Sequence, residues 1–164
     1  MSSREDDLIA EIESAFADVR LEDGISLNMT EYNDSGGSNP RYLERAKHDE
    51  RDDWRRIADE TLENFRVTFS FTDLKGYRFY LPAYMIWTLR HHRTSDSPIA
   101  NSTIYALDPD SYQFDEIPFT SWFTATQLSV IGKFLAYCRD DDETLNSPVA
   151  TTNLAKLKIR PTTK

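Results

Sequence analysis

The stretch RVTFSFTDLKGYRFYLPAYMIWTLRHH, residues 66–92, decides the fold that the sequence predicts. Polar and apolar side chains alternate over residues 66–72 and again over 77–81, which is the period of a half-buried β-strand. The connection 73–76 is short and ends in glycine, which suits a tight turn whose last position needs a positive φ. The pattern therefore predicts an antiparallel hairpin at about 66–81.

Helices are predicted on both sides of this hairpin. Because proline is tolerated in the first turn of a helix, we expect a helix from Pro82 to about His92. Apolar side chains recur at helical spacing over residues 5–19, which predicts the first helix of the chain. Thr124 and Gln127 form the pattern of a capping box and predict the start of another helix.

The fold class follows from combining these elements. Residues 40–64 indicate one or two surface helices, and residues 103–107 indicate an edge strand. A two-stranded ribbon is unstable alone, so helices must cover one of its faces. We therefore predict an α+β fold: a mainly helical single domain with a small antiparallel sheet built around the hairpin at about 66–81.

Length and cysteine content describe the class of protein. The 164 residues are typical of one domain, and we expect flexible ends at 1–4 and 158–164. The single cysteine, Cys138, excludes an intramolecular disulfide, and its place on the apolar stripe of a predicted helix indicates an inert thiol. The longest apolar stretch, residues 79–87, is too short to span a bilayer. We expect a cytoplasmic protein that does not cross a membrane.

The charge of the chain favours a protein partner. A formal charge of −9, from 28 acidic and 19 basic residues, is repelled by phosphate backbones, so no nucleic-acid partner is expected. Complementary charge would instead attract a basic protein. We expect the contacts to come from two acidic clusters and from the outer face of the hairpin. The predicted contact residues are Asp49, Asp52, Asp53, Arg78, Tyr80, Asp140, Asp141, Asp142 and Glu143.

The absence of chemical motifs supports a non-enzymatic function. The sequence contains no phosphate-binding glycine loop, no dinucleotide fingerprint, no nucleophile elbow and no zinc-binding His-Glu-x-x-His. No catalytic residue, cofactor or metal is therefore predicted. The leading hypothesis is an acidic binding protein, of the immunity or inhibitor type, that masks a basic protein partner.

Two alternatives from other classes stay open. The first is a small metal-dependent or acid/base enzyme that uses His48 with Asp52, or His91 with His92. His48 and Asp52 share one helical face, whereas neighbouring histidines on a helix point about 100° apart and cannot both ligate one metal. The second is a regulatory or scaffold module that docks through the aromatic region 80–87.

One motif carries a resemblance. The run GYRFYLPAYM at residues 76–85, with Trp54 upstream and Thr124 with Gln127 downstream, resembles a family of small uncharacterised bacterial proteins. That family shares a Gly-x-Arg-Phe-Tyr-Leu-Pro-Ala core, and its function is unknown. The resemblance implies a bacterial cytoplasmic origin and supplies no catalytic residue.

Overall fold

The computed structural model describes residues 2–114 and 116–159, and over these residues the backbone forms helices and no strand. Two short 3₁₀ turns, Trp54–Arg56 and Phe119–Ser121, accompany nine α-helices in this part of the chain. The α-helices are α1 (Arg4–Ala15), α2 (Leu27–Asp34), α3 (Arg41–Ala46), α4 (Asp59–Glu63), α5 (Thr68–Phe71), α6 (Leu74–His91), α7 (Ile99–Ala106), α8 (Ala125–Arg139) and α9 (Ser147–Ile159).

The predicted hairpin at 66–81 is wrong, because these residues form α5 and the first half of α6. Tyr77, Phe79, Tyr80 and Leu81 are all 0% exposed, so α6 is buried on every side here. A helix buried all round shows no helical period in its apolar residues, and chance alternation then imitates a strand. Over the described residues, a helical fold replaces the predicted α+β fold with its antiparallel sheet.

Gly76 and Pro82 have functions other than the predicted ones. Gly76 lies within the first turns of α6 and is absent from the residues with positive φ. A Cβ at this position would lie 2.7 Å from the carbonyl oxygen of Ile25, so close backbone approach requires glycine. Pro82 lies inside α6, although we expected it to begin a helix. The predicted edge strand at 103–107 is also wrong, because residues 103–106 belong to α7, which ends at Ala106.

Two helix predictions are confirmed. The first helix, predicted over residues 5–19, starts at Arg4, where Ser3 and Asp6 form a capping box, and it ends at Ala15, four residues before the predicted end. In α8 the Thr124 side chain accepts a hydrogen bond from the Gln127 backbone N–H, and the Gln127 side-chain oxygen accepts one from the Thr124 backbone N–H, as the sequence pattern predicts.

The chain divides into two compact units, which we describe separately. One unit consists of the described residues of Met1–Ala17 and Tyr84–Lys164, and the other is Asp18–Ala83. The prediction of a single domain stays a prediction. Of the ends expected to be flexible, residue 1 and residues 160–164 lie outside the described residues.

In the first unit, α8 is the central helix. It packs against α1 on one side and against α9 on another. Ile131 and Phe134 of α8 are fully buried, and Gln127 donates a hydrogen bond to the carbonyl oxygen of Ala15 at 3.2 Å. Phe16 and Phe123 meet edge to face at 6.3 Å between ring centroids. These contacts fix α1 against α8, which positions the residues of the candidate site.

In the second unit, hydrogen bonds fasten the start of α6 to the segment before α2. Thr72 donates its hydroxyl to the carbonyl oxygen of Ile25 at 2.9 Å, and the Asp73 carboxylate accepts the N–H of Ile25 at 3.1 Å. The Tyr80 hydroxyl accepts the N–H of Leu27 at 3.1 Å. The fold of this unit therefore depends on buried polar side chains as well as on apolar packing.

Among the described helices, none has both the length and the apolar composition that crossing a membrane requires.

Candidate functional site

A polar pocket in the first unit gathers charged residues from distant parts of the sequence. We call it the acidic pocket; its volume is about 360 Å³. Its walls come from the first turn of α1, the residues just after α6, the last turn of α8 and the segment that follows α8. The lining residues are Arg4, Glu5, Arg93, Tyr137, Asp140, Asp141, Asp142 and Glu143.

Glu5 is the most strongly perturbed acid of this pocket. Its carboxylate accepts hydrogen bonds from Arg93 Nη2 at 2.7 Å and from the Tyr137 hydroxyl at 2.8 Å. The hydrogen bond from Arg93 is the main cause that lowers the Glu5 pKa to about 2, with backbone and Tyr137 hydrogen bonds adding to it. Glu5 is therefore ionised at every physiological pH and holds Arg93 and Tyr137 in place.

His92 is buried and contacts Tyr137, which lines the acidic pocket. Its side chain is 1% exposed, and its Nε2 lies 2.8 Å from the Tyr137 hydroxyl oxygen. Nδ1 lies 2.5 Å from Thr144 Oγ1. The Tyr137 hydroxyl also donates a hydrogen bond to Glu5, and the Thr144 hydroxyl also donates one to the Asp141 carboxylate at 3.2 Å. Burial lowers the pKa of His92, so the ring is neutral at pH 7.

Asp141 is the acid nearest to His92. Its carboxylate lies 3.7 Å from His92 Nδ1 and accepts the backbone N–H groups of Thr144 at 3.0 Å and Glu143 at 3.2 Å. Burial raises the pKa of Asp141, but the hydrogen bonds from Thr144 outweigh burial and leave that pKa below its usual value. Asp141 therefore keeps its negative charge beside a neutral histidine.

The charges of the acidic pocket do not balance. Five acids and two arginines line it, which leaves an excess of three negative charges. Both arginines are already paired, Arg93 with Glu5 at 2.7 Å and Arg4 with Asp140 at 3.0 Å. Within the described part of the chain, Asp142 and Glu143 have no ion-pair partner. A cationic group entering the pocket would therefore meet acids that no lysine or arginine of the pocket neutralises.

Comparison with known proteins places the chain in a family. The family model described as "Family of unknown function (DUF6714)" matches residues 4–158. The chain belongs to this family. No curated protein and no solved structure gives a significant match. Membership confirms the expected resemblance to a family without known function, and it transfers no activity or site residue to this member.

The acids that the sequence predicts after α8 come together in this family member. Asp140, Asp141, Asp142 and Glu143 all line the acidic pocket. Sequence reasoning missed Arg4, Glu5, Arg93 and Tyr137, which complete its lining. Glu5 and Arg93 are 88 positions apart, and Glu5 and Tyr137 are 132 apart, so no local pattern joins them. Their contact depends on how α1 packs against α8.

The other predicted acids lie in the second unit, where Asp49 and Asp53 are used internally. Asp49 accepts hydrogen bonds from the backbone and side-chain amides of Asn28 at 2.9 and 2.6 Å. Asp53 accepts from the Arg55 side chain at 2.8 Å and from its backbone at 3.0 Å. Asp52 is exposed. The two acidic clusters therefore belong to different compact units.

Burial changes the interpretation of the residues that were predicted to lie on the outer face of a hairpin. Tyr80 is 0% exposed and Arg78 is half-buried, so Tyr80 offers no surface to a partner. Tyr84 and Trp87 are 2% and 1% exposed. The predicted docking surface at the aromatic region 80–87 is therefore wrong, because the aromatic side chains of this part of α6 are buried.

The structure shows the surroundings of the predicted histidine pairs, and their use in an enzyme stays a prediction. His48 lines a cavity of about 540 Å³ in the second unit together with Asp49, not with Asp52. The ring of His91 lies 5.1 Å from the ring of Trp87, whereas His92 has both ring nitrogens in hydrogen bonds. Over residues 2–114 and 116–159, no three His, Cys, Asp or Glu side chains are grouped closely enough to hold a metal ion.

The single cysteine lies in the interior. Cys138 is 0% exposed on α8, and burial raises the pKa of its thiol well above the usual range. A buried thiol with a raised pKa is a poor nucleophile.

Proposed function

We propose that this protein is a binding protein whose acidic pocket receives the cationic side chain of a basic protein partner. The observation that carries the proposal is the uncompensated charge of Asp141, Asp142 and Glu143, in a pocket whose two arginines are already paired. An arginine or lysine side chain supplies the missing charge, and carboxylates bind a guanidinium through charge-assisted hydrogen bonds.

Hydrogen bonds to the acids of the pocket support this function by keeping the pocket rigid. Asp141 is held by backbone N–H groups, and Glu5 is held by Arg93 and Tyr137. A binding group fixed in this way loses little conformational entropy when a partner arrives. Because His92 is neutral at pH 7, it adds no positive charge beside the pocket that would repel a cation.

The net charge of the whole chain acts at longer range. A formal charge of −9 steers a basic partner toward the protein and increases the association rate, and salt screens this attraction. We propose an immunity or inhibitor type of role, in which the protein masks a basic partner in the bacterial cytoplasm. The bacterial origin and the cytoplasmic location are part of this proposal and follow the resemblance noted for residues 76–85.

The experiment uses an arginine-rich peptide as the probe in isothermal titration calorimetry. The Asp142→Asn, Glu143→Gln double variant removes two unpaired charges from the acidic pocket. The matched control is Asp52→Asn, Glu60→Gln, which removes two charges from exposed positions in the second unit. We expect the pocket variant to weaken binding about fivefold or more, and the control to change it by less than about twofold.

Three results would contradict the proposal. The first is equal weakening in both variants, which would show a response to net charge alone. The second is unchanged binding in the pocket variant. The third is an affinity that does not decrease between low and high salt.

A further inference from the structure

A second cavity of the first unit has a different chemistry. It lies along α8 and α9, and we call it the α8–α9 groove; its volume is about 590 Å³. Leu128, Leu154 and Leu157 supply the apolar side chains of its lining. The residues of α8 that line it run from Ala125 to Arg139, which is the whole helix and about 21 Å at 1.5 Å per residue. The groove is therefore long and apolar.

Gly132 keeps this groove open. Glycine inside a helix is destabilising relative to alanine, so an interior glycine needs a reason. At Gly132 a Cβ would meet only Leu157 Cδ2 at 3.9 Å and Leu154 Cδ1 at 4.0 Å, which are ordinary van der Waals distances. The packing of α8 against α9 therefore does not require glycine here. What the missing side chain provides is free space in the middle of the groove.

The rim of the groove is basic. Lys133, Arg139 and Lys158 line it, and the described lining includes no acid. Lys133 pairs with Glu11 at 2.5 Å and Arg139 with Asp140 at 3.0 Å, but these pairs are about half exposed and can exchange partners at little cost. Lys158 is exposed and has no ion pair within residues 2–114 and 116–159.

The size of the groove indicates a small ligand. Eleven residues line it, whereas a stable protein interface uses about 20 to 30 residues on each side. Its volume lies within the range of about 300 to 1,000 Å³ that small-molecule sites occupy, and such sites are mainly apolar with few polar groups. A long apolar lining with cations at its rim fits an apolar tail with an anionic head.

We infer that the α8–α9 groove binds a free, monomeric anionic amphiphile: a molecule with one unbranched alkyl tail and a carboxylate head. The tail lies along α8 over Gly132, and the carboxylate pairs with the basic rim, where Lys158 has a charge available. This site is separate from the acidic pocket, so its test is independent of the proposed binding of a basic partner.

Sodium dodecanoate below its micellar concentration is the probe, and binding to the full chain is measured by isothermal titration calorimetry. Dodecyltrimethylammonium has the same tail with a cationic head and serves as the control ligand. We expect saturable binding of one dodecanoate and at least about tenfold weaker binding of the cationic amphiphile.

Variants of α8 test the position of the tail. Gly132→Leu fills the groove and should weaken dodecanoate binding at least about tenfold, whereas Thr126→Leu adds the same side chain at an exposed position of α8 outside the groove and should leave binding unchanged. Gly132→Ala tests whether the fold tolerates a side chain at this position. It should raise the melting temperature by about 2 to 4 °C, because alanine favours the helix and the Cβ is accommodated.

A charge reversal tests the position of the head. Lys158→Glu should weaken dodecanoate binding several-fold, whereas Arg41→Glu, an equal charge change at an exposed position of the second unit, should not.

Four outcomes would overturn the inference. Dodecanoate does not bind saturably; both head groups bind equally; Gly132→Leu binds dodecanoate as well as the native chain does; or Gly132→Ala lowers the melting temperature, which would show that packing requires glycine. Binding to anionic vesicles without binding to monomeric dodecanoate would indicate a membrane surface instead. Binding of an acidic amphipathic helical peptide, without dodecanoate binding, would indicate a protein partner instead.

Discussion

The two acidic clusters of this chain have similar sequences and different environments. In the cluster at 49–53, Asp49 is hydrogen-bonded to Asn28 and Asp53 to Arg55, so these carboxylates stabilise their own unit. In the cluster at 140–143, Asp140 pairs with Arg4, but three further acids remain without a lysine or arginine partner in the acidic pocket. The difference shows that a run of acids becomes a candidate binding site only where the fold leaves charge uncompensated.

The largest expected difference between the clusters is in stability. Asp49→Ala leaves the backbone and side-chain amides of Asn28 without their acceptor, and we expect it to lower the free energy of unfolding by about 1 to 3 kcal/mol. Asp142→Ala removes an exposed side chain without an ion pair among the described residues and should change that free energy by less than about 0.5 kcal/mol. Urea denaturation of both variants measures the contrast, and similar losses would refute it.

The second expected effect is a dependence of stability on pH in the first unit. Burial holds the pKa of His92 below 6.5, with Asp141 and Glu5 opposing this shift and Arg93 adding to it. Below pH 6.5, His92 therefore binds a proton more readily in the unfolded chain than in the folded protein. The stability from neutral His92 is fully present above pH 6.5 and is lost as pH falls through the lower folded pKa.

The test compares unfolding free energies at pH 7.5 and at pH 5 in two variants. His92→Gln should reduce the loss of stability between these values, whereas His48→Gln, beside the other cluster, should not alter it. An unchanged loss in the His92→Gln variant would show that other groups cause the acid dependence.

The smallest expected effect concerns the pairs that neutralise part of each cluster. Arg4→Gln removes one positive charge from the acidic pocket while Asp140 keeps its pair with Arg139, and it should strengthen binding of an arginine-rich peptide about twofold. Arg55→Gln removes the partner of Asp53 in the other cluster and should leave that affinity unchanged. Calorimetric titration at low salt measures both variants, and weaker binding by Arg4→Gln would indicate that Arg4 contacts the ligand.

Local signals in the sequence were sufficient for some elements and not for others. The capping pattern at Thr124 and Gln127 identifies α8, because a cap depends on residues three positions apart. Residues 77–81 led to the wrong prediction of a strand, because burial of α6 on every side removes the helical period of its apolar residues. The acids at 140–143 could be found from composition, but their relation to Glu5, His92 and Arg93 arises only when α1, α8 and the residues just after α6 come together.

The most direct test of the acidic pocket is a titration of the ¹⁵N-labelled full chain with an arginine-rich peptide, followed by NMR chemical shifts of the backbone amides. The account predicts saturable shifts at residues 4–5, 93 and 140–144, and none at 49–53. Shifts centred on 49–53, or spread evenly over both acidic clusters, would contradict it, because the cationic group would then bind charge in general rather than the uncompensated acids of the pocket.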